Sequence, residues 1–261
     1  MNISLKGKRA LVGGSSGGIG KAIAIELAHC GASVTLMSRT EEKLINIVAD
    51  LPTDQGQEHG YLAVDFNDFK GFQEKIASFF ENNTIDILVN NTQGPSAGSA
   101  LEKNITDYQE AFNLLFKTVV YTTELALKHM IANRWGRIIN VASVSVKEPL
   151  SYLALSNSIR AAVTTWAKTL ATDVGQHGIT VNSALTGYFD TDRIAQLNAK
   201  KAEQLGIKPS EVLADMEARV PLKRIGKPEE YGYLIAFLAS DKAAFITGTQ
   251  IPIDGGLLKS L

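Results

Sequence analysis

The stretch Val12-Gly13-Gly14-Ser15-Ser16-Gly17-Gly18-Ile19-Gly20 decides how this chain reads. Arg9-Ala10-Leu11-Val12, just before it, has the character of a short buried strand. Just after it, Ile19, Ala22, Ile23, Leu27 and Cys30 recur at helical spacing and form one apolar face. The glycines therefore stand where a strand turns into a helix. Unpaired N–H groups at a helix start, together with the positive end of its dipole, attract anions. Glycine there permits a tight turn and lets a pyrophosphate approach the backbone. A glycine-rich turn alone is weak evidence, but the strand–loop–helix context favours a nucleotide site.

Working outward, the composition excludes several classes. The chain has 261 residues, 45% hydrophobic and 20% charged, with a net charge of -1. That suits one α/β domain with a sizeable core, spanning residues 1–261. Near-neutral charge without basic clusters argues against nucleic acid or an anionic membrane as partner. No apolar run approaches the roughly 20 residues of a membrane span. Residues 1–8 are too short and polar for a secretory signal, so a cytoplasmic location is expected. Cys30 is the only cysteine, reads as a core thiol, and leaves no disulfide available. No His/Cys/Asp/Glu spacing suggests a metal site. His29, His59, His129 and His177 fall outside the expected cleft and read as structural or solvated.

Strand and helix signals alternate along the whole chain. Strands are expected at 9–12, 33–37, 61–64, 85–89, 137–141, 179–182 and 250–253. Helices are expected at 40–51, 67–80, 107–132, 156–174 and 228–239, with a polar helical segment at 188–220. This alternation implies a parallel sheet of about seven strands with helices on both faces, connected by right-handed crossovers. The doubly wound arrangement places ligands beyond the carboxyl ends of the strands, where the glycine loop lies.

The residues after each strand carry the next inferences. Met37-Ser38-Arg39 ends the second strand without an acid to bond ribose hydroxyls. Arg39 is instead suited to a 2′-phosphate, and the other reading is a solvated loop arginine. Asp65 and Phe66 follow the third strand. Asp65 suits either an adenine amino group or the cap of the next helix. Asn90-Asn91 ends the fourth strand and either lines the cleft or simply makes a turn.

Together these stretches resemble the short-chain dehydrogenase/reductase family over nearly the whole chain. The glycine loop is similar to that family's Thr-Gly-x-x-x-Gly-x-Gly, with Gly13 in the threonine place. Asn90-Asn91-Thr92-Gln93 resembles its Asn-Asn-Ala-Gly. Val181-Asn182-Ser183-Ala184-Leu185-Thr186-Gly187 resembles Val-Asn-x-x-x-Pro-Gly, with Thr186 for proline. Residues 221–230, Ile246-Thr247-Gly248 and Asp254-Gly255-Gly256 resemble the carboxyl-terminal signature, most like that of β-ketoacyl-acyl-carrier-protein reductases. The resemblance implies a Rossmann fold that binds NADP(H) rather than NAD(H), contacted by Gly14, Ser16, Gly17, Ile19, Arg39, Asp65, Phe66, Asn91, Arg160, Gly187 and Thr191. It also implies a substrate lid at 188–220, a small carbonyl or acyl substrate, and a homo-oligomer, commonly a tetramer.

The family's chemistry uses Asn, Ser, Tyr and Lys. Ser143 occupies the serine place, but Leu115, Ser156 and Arg160 stand in the other three. A free phenol has a pKa of about 10, so the family's tyrosine needs a nearby cation to act near neutrality. A serine hydroxyl is too weak an acid and too short to replace it. Arg160 keeps a positive charge but cannot shuttle protons. Tyr152 and Tyr188 are the candidates to supply a proton instead. Lys200, Lys201 and Arg193 are read as an exposed helix face rather than an anion site. Two functions compete: an NADP(H)-dependent reductase with a weakened proton donor, and a cofactor-binding regulatory relative that has lost turnover.

Overall fold

A computed structural model describes residues 2–260. Its centre is one seven-stranded parallel sheet, in the order β3-β2-β1-β4-β5-β6-β7. The strands are β1 (Arg9–Gly13), β2 (Ser33–Ser38), β3 (Gly60–Ala63), β4 (Ile87–Asn90), β5 (Gly136–Ser143), β6 (Ile179–Thr186) and β7 (Gln250–Ile253). Strands covered on both faces read as continuous apolar runs, and all four residues of β4 are indeed buried.

On one face lie α1 (Gly18–His29), α2 (Glu41–Asp50) and α9 (Pro228–Ala239), which bury Ile23, Leu27, Leu44 and Ile235 against the sheet. On the other lie α3 (Phe69–Asn82), α5 (Thr118–Asn133) and α6 (Ala154–Val174), contributing Phe72, Ile76, Met130 and Leu155. The chain builds outward from β1 to β3 and returns to β4. Beyond the carboxyl ends of β1 and β4 this reversal opens a crevice, the usual ligand position in such sheets. No helix among the described residues is long and apolar enough to cross a membrane.

Three expectations from the sequence need correction. The helix expected over 107–132 is α4 (Ile105–Phe112), a π turn at Asn113–Lys117, and then α5. The looser turn alters the carbonyl ladder, and two threonine hydroxyls bond back into it. Thr118 donates to Leu114 O at 2.6 Å, and Thr122 donates to Thr118 O at 2.8 Å. Asp65 does not cap α3; Asp68 does, accepting from Gly71 N at 3.1 Å. Asp65 closes its own turn on Asn67 N at 2.9 Å. Finally, α6 begins at Ala154 rather than Ser156, because Gly98 pairs with both sides of Leu153. Gly98 N donates to Tyr152 O, and Ala154 N donates to Gly98 O.

The polar segment at 188–220 folds as two helices, α7 (Asp192–Leu205) and α8 (Pro209–Arg219). Cys30 follows α1, half-buried against the core. Burial and the neighbouring Glu26 push its thiol up to about 11, which keeps it protonated.

Candidate active site

The glycine loop is held from three sides. Gly14 and Gly18 have φ of 57° and 51°, the left-handed region that favours glycine. From β2, Met37 N donates to Ser15 Oγ at 2.8 Å, while Ser15 N donates to Met37 O. From β4, Asn91 Nδ2 donates to Gly13 O at 3.0 Å. Asn91 also fills the space beneath the loop, so a Cβ on Gly14 or Gly20 would stand 2.8 Å from Asn91 Nδ2. From the far side, a Cβ on Gly18 would meet Thr191 Cγ2 at 3.2 Å. Thr191 itself caps α7 by accepting from Ile194 N.

Gly17 caps α1 without a side-chain bond, and the space where its Cβ would stand is open. The first N–H groups of α1 thus have no side-chain cap to satisfy them, which suits a phosphate. Ser16 is half-exposed at the same turn, whereas Ile19 anchors the loop into the core.

At the outer end of this cleft Arg39 is exposed, next to a Ser38 whose buried hydroxyl has no partner. Asp65 is exposed as well. Phe66 turns its ring into the core against Phe72, at a centroid distance of 5.4 Å, so only its backbone remains for a ligand. Gly187 is explained by packing: its N–H donates to Ile253 O, and a Cβ would lie 2.6 Å from Asp254 Cα.

The four positions that the resemblance marks as catalytic divide. Ser143 Oγ accepts from Ser145 N at 3.1 Å and so caps the short turn Val144–Val146. Ser156, in the first turns of α6, forms no hydrogen bond through its hydroxyl among the described residues. Leu115 is 2% exposed and sits within the π turn. Arg160 reaches back to the sheet and donates to Val141 O at 2.6 Å, while burial pulls its guanidinium down from the usual range. Leu115 and Arg160 line one narrow cavity; Ser143 and Ser156 are not among its lining residues.

Asn90, read from the sequence as lining the cleft or making a turn, lines that cavity, and its partner Asn140 was not foreseen. Asn90 Nδ2 donates to Asn140 Oδ1 at 2.9 Å and to Thr123 Oγ1 at 3.1 Å. The signal was present in Ile138-Ile139-Asn140-Val141, where an amide interrupts an apolar strand. Ser15 and Ser38 were missed too, because nothing local distinguishes them from other loop or strand serines.

Neither candidate tyrosine is tuned for proton transfer. Tyr152 lies in the turn before α6, off the helix, and burial raises its phenol above the usual range. Tyr188 is raised for the same reason, with Arg219 pulling the other way. Two of the four histidines have structural partners: His59 accepts from Val34 N, and His129 approaches Asp86 at 3.3 Å. On α7, Arg193 donates to Pro95 O at 3.2 Å, and Lys201 faces Asp215.

Comparison with known proteins matches this fold. The family model described as enoyl-(acyl carrier protein) reductase covers residues 14–258. The NADPH-dependent reductase BacG of Bacillus subtilis is 33% identical, over 97% of this chain and 99% of its own. A 3-oxoacyl-(acyl-carrier-protein) reductase, FabG of Aquifex aeolicus, is 30% identical over 98% of this chain and 100% of its own. Among solved structures, L-sorbose reductase of Gluconobacter frateurii, complexed with NADPH and L-sorbose, is similar with a TM-score of 0.92. It is 31% identical, and all of each chain is covered.

Proposed function

The chain belongs to the short-chain dehydrogenase/reductase family, and from that premise we propose that it binds NADP(H) in preference to NAD(H) and is a reductase with weakened proton transfer. The observation that carries the reading is the glycine loop. Asn91 after β4, Met37 of β2 and Thr191 at the start of α7 brace it from separate elements, and the start of α1 has no side-chain cap. Such bracing serves a bound pyrophosphate better than it serves a turn. Arg39, with no competing acid at the end of β2, is suited to the 2′-phosphate that distinguishes NADP(H). Relatives named as NADPH-dependent, or solved with NADPH, support the same choice.

NADPH, when bound, supplies a hydride for a carbonyl or acyl substrate of the 3-oxoacyl kind. The chain's own contribution is then positioning. Ser143, fixed at the end of β5, orients a substrate oxygen, and residues 188–220 act as the substrate lid. Arg160 adds positive charge, but no side chain in the tyrosine place gives up a proton near neutral pH.

A second reading is a cofactor-binding regulator without turnover. It is favoured by Arg160 being spent on Val141 O while the Ser156 hydroxyl is unengaged. Calorimetric titration with NADPH and NADH, followed by NADPH oxidation assays on 3-oxoacyl thioesters and ketones, separates the two. Saturable NADPH binding with slow turnover is expected. Restoring the family pattern with Ser156→Tyr plus Arg160→Lys should raise turnover. Failure of NADPH to bind sinks both readings, and binding without any turnover favours the regulator.

A further inference from the structure

Beyond β7, residues 254–260 touch two segments that lie far from them in the chain. Asp254 sets their course: its Oδ1 accepts from Gly256 N at 2.9 Å and its Oδ2 from Leu258 N at 2.8 Å. Gly255 and Gly256 have φ of 65° and 87°, so the chain turns sharply there. Leu257 and Leu258 then pack against Ala142, Val144 and Leu185 at the carboxyl ends of β5 and β6.

The first contact is with the loop that carries Ser143. Glu148 Oε1 accepts from Lys259 N at 2.8 Å and from Ser260 N at 2.7 Å. One carboxylate oxygen thus takes two successive backbone N–H groups in charge-assisted bonds. Those two N–H groups hold the Glu148 carboxyl below the usual carboxylate range. Glu148 is tied in turn to the serine: Lys147 N and Glu148 N both donate to Val144 O, and Ser145 N donates to Ser143 Oγ.

The second contact is with Val220–Leu222, which directly follow α8. Leu222 N donates to Gly255 O at 3.3 Å. A Cβ on Gly255 would stand 2.7 Å from Val220 Cγ1, and one on Gly256 would stand 3.1 Å from Pro221 Cγ. The two glycines therefore lie flat against the end of the segment read as the lid. Burial of two leucines would hold an ordinary surface segment. It does not account for a carboxylate placed to take the next two N–H groups.

We propose that residues 254–260 are a strap joining the end of the lid to the loop that carries Ser143, with Glu148 as its latch and as a positioning residue for Ser143. The roles of the lid and of Ser143 rest on the function proposed above; the strap and its latch do not. Movement of the lid end is then felt at the Ser143 loop through Gly255, Leu257, Leu258 and Glu148.

Hydrogen exchange, read amide by amide without ligand, tests the strap independently of turnover. In Glu148→Ala the Ser145 and Leu222 amides should both exchange about tenfold faster, roughly the worth of one hydrogen bond. Glu148→Gln keeps an acceptor and should recover most of the protection. Lys259→Pro removes one donor while leaving Glu148 intact, and should match Glu148→Ala if that variant does not fold. Lys259→Ala keeps the N–H and should exchange like the unmodified protein. Faster exchange confined to residues 257–260, or to only one of Ser145 and Leu222, overturns the proposal.

On the reductase reading, Glu148→Ala should also lower kcat while the KM for NADPH stays unchanged, because the strap touches no residue of the glycine loop. Altered exchange in a protein without turnover refutes that reading and leaves the strap standing. Unaltered exchange in an active enzyme refutes the strap alone.

Discussion

Asn91→Ala is the sharpest test of the proposal that the binding half of the site depends on Asn91, which bonds and packs beneath the glycine loop. The substitution removes the 3.0 Å donor to Gly13 O and empties the space beneath Gly14 and Gly20. Leaving a buried acceptor without its donor costs about 1–3 kcal/mol. Taking about 2 kcal/mol, the melting temperature of a chain this long should fall by roughly 4–8 °C. The loosened loop must then be reordered when ligand binds, and that can take up as much free energy again. Dinucleotide affinity should therefore fall by roughly 5- to 30-fold, the equivalent of about 1–2 kcal/mol. NADPH and NADH should lose affinity alike, because the pyrophosphate is common to both. Scanning calorimetry and isothermal titration read the two effects on one preparation. Asn91→Asp keeps the size but turns a carboxylate toward Gly13 O, and it should bind dinucleotide more weakly than the alanine variant. If Asn91→Ala melts and binds like the unmodified protein, Asn91 is a turn residue and the account of a braced loop is wrong.

Other consequences are narrower. Arg39→Gln should weaken NADPH by roughly 5- to 30-fold, in line with the loss of a charge-assisted bond, and leave NADH unchanged; an equal effect on both would remove Arg39 from phosphate recognition. Gly20→Ala should lose dinucleotide binding and stability together, because its Cβ would overlap Gly14 O; a well-folded variant that binds normally contradicts the packing beneath the loop. Tyr152→Phe and Tyr188→Phe should leave the pH profile of any NADPH-dependent turnover unaltered between pH 6 and about 9, because burial raises both phenols. Loss of an inflection near neutrality in either variant would make that tyrosine the proton donor. Glu230 is held down to about 2 by Arg224 and by the Lys227 N–H, below its unfolded value of about 4.3. Its stabilisation is present above about pH 4.3 and is lost as pH falls through about 2, so Glu230→Gln should flatten the stability profile across that window in acid titrations. The pair is solvent-exposed, so the change should be small.

Local patterns in the sequence carried much of this. The glycine spacing of residues 13–20, the alternation of strand and helix, and the residues at 115, 143, 156 and 160 could all be read along the chain. Element boundaries were less legible. The π turn at Asn113–Lys117 depends on carbonyls and threonine hydroxyls one turn apart, and no single residue type announces it. Asp65 and Asp68 are equally good caps by residue type; only the entry path of α3 selects Asp68.

By itself, then, the sequence determined the doubly wound sheet, the place of the glycine loop and the presence of Ser156 and Arg160 at the start of the sixth helix. Each of these is written in short spacings, and hydrophobic period and residue chemistry act locally. Tertiary structure alone decided that Asn91 lies beneath three glycines, that Thr191 closes over Gly18, and that Arg160 shares a cavity with Asn140. Those pairings join residues far apart in the chain. Their partners are set by strand order and helix placement, and side-chain identity carries no record of which distant backbone it will meet.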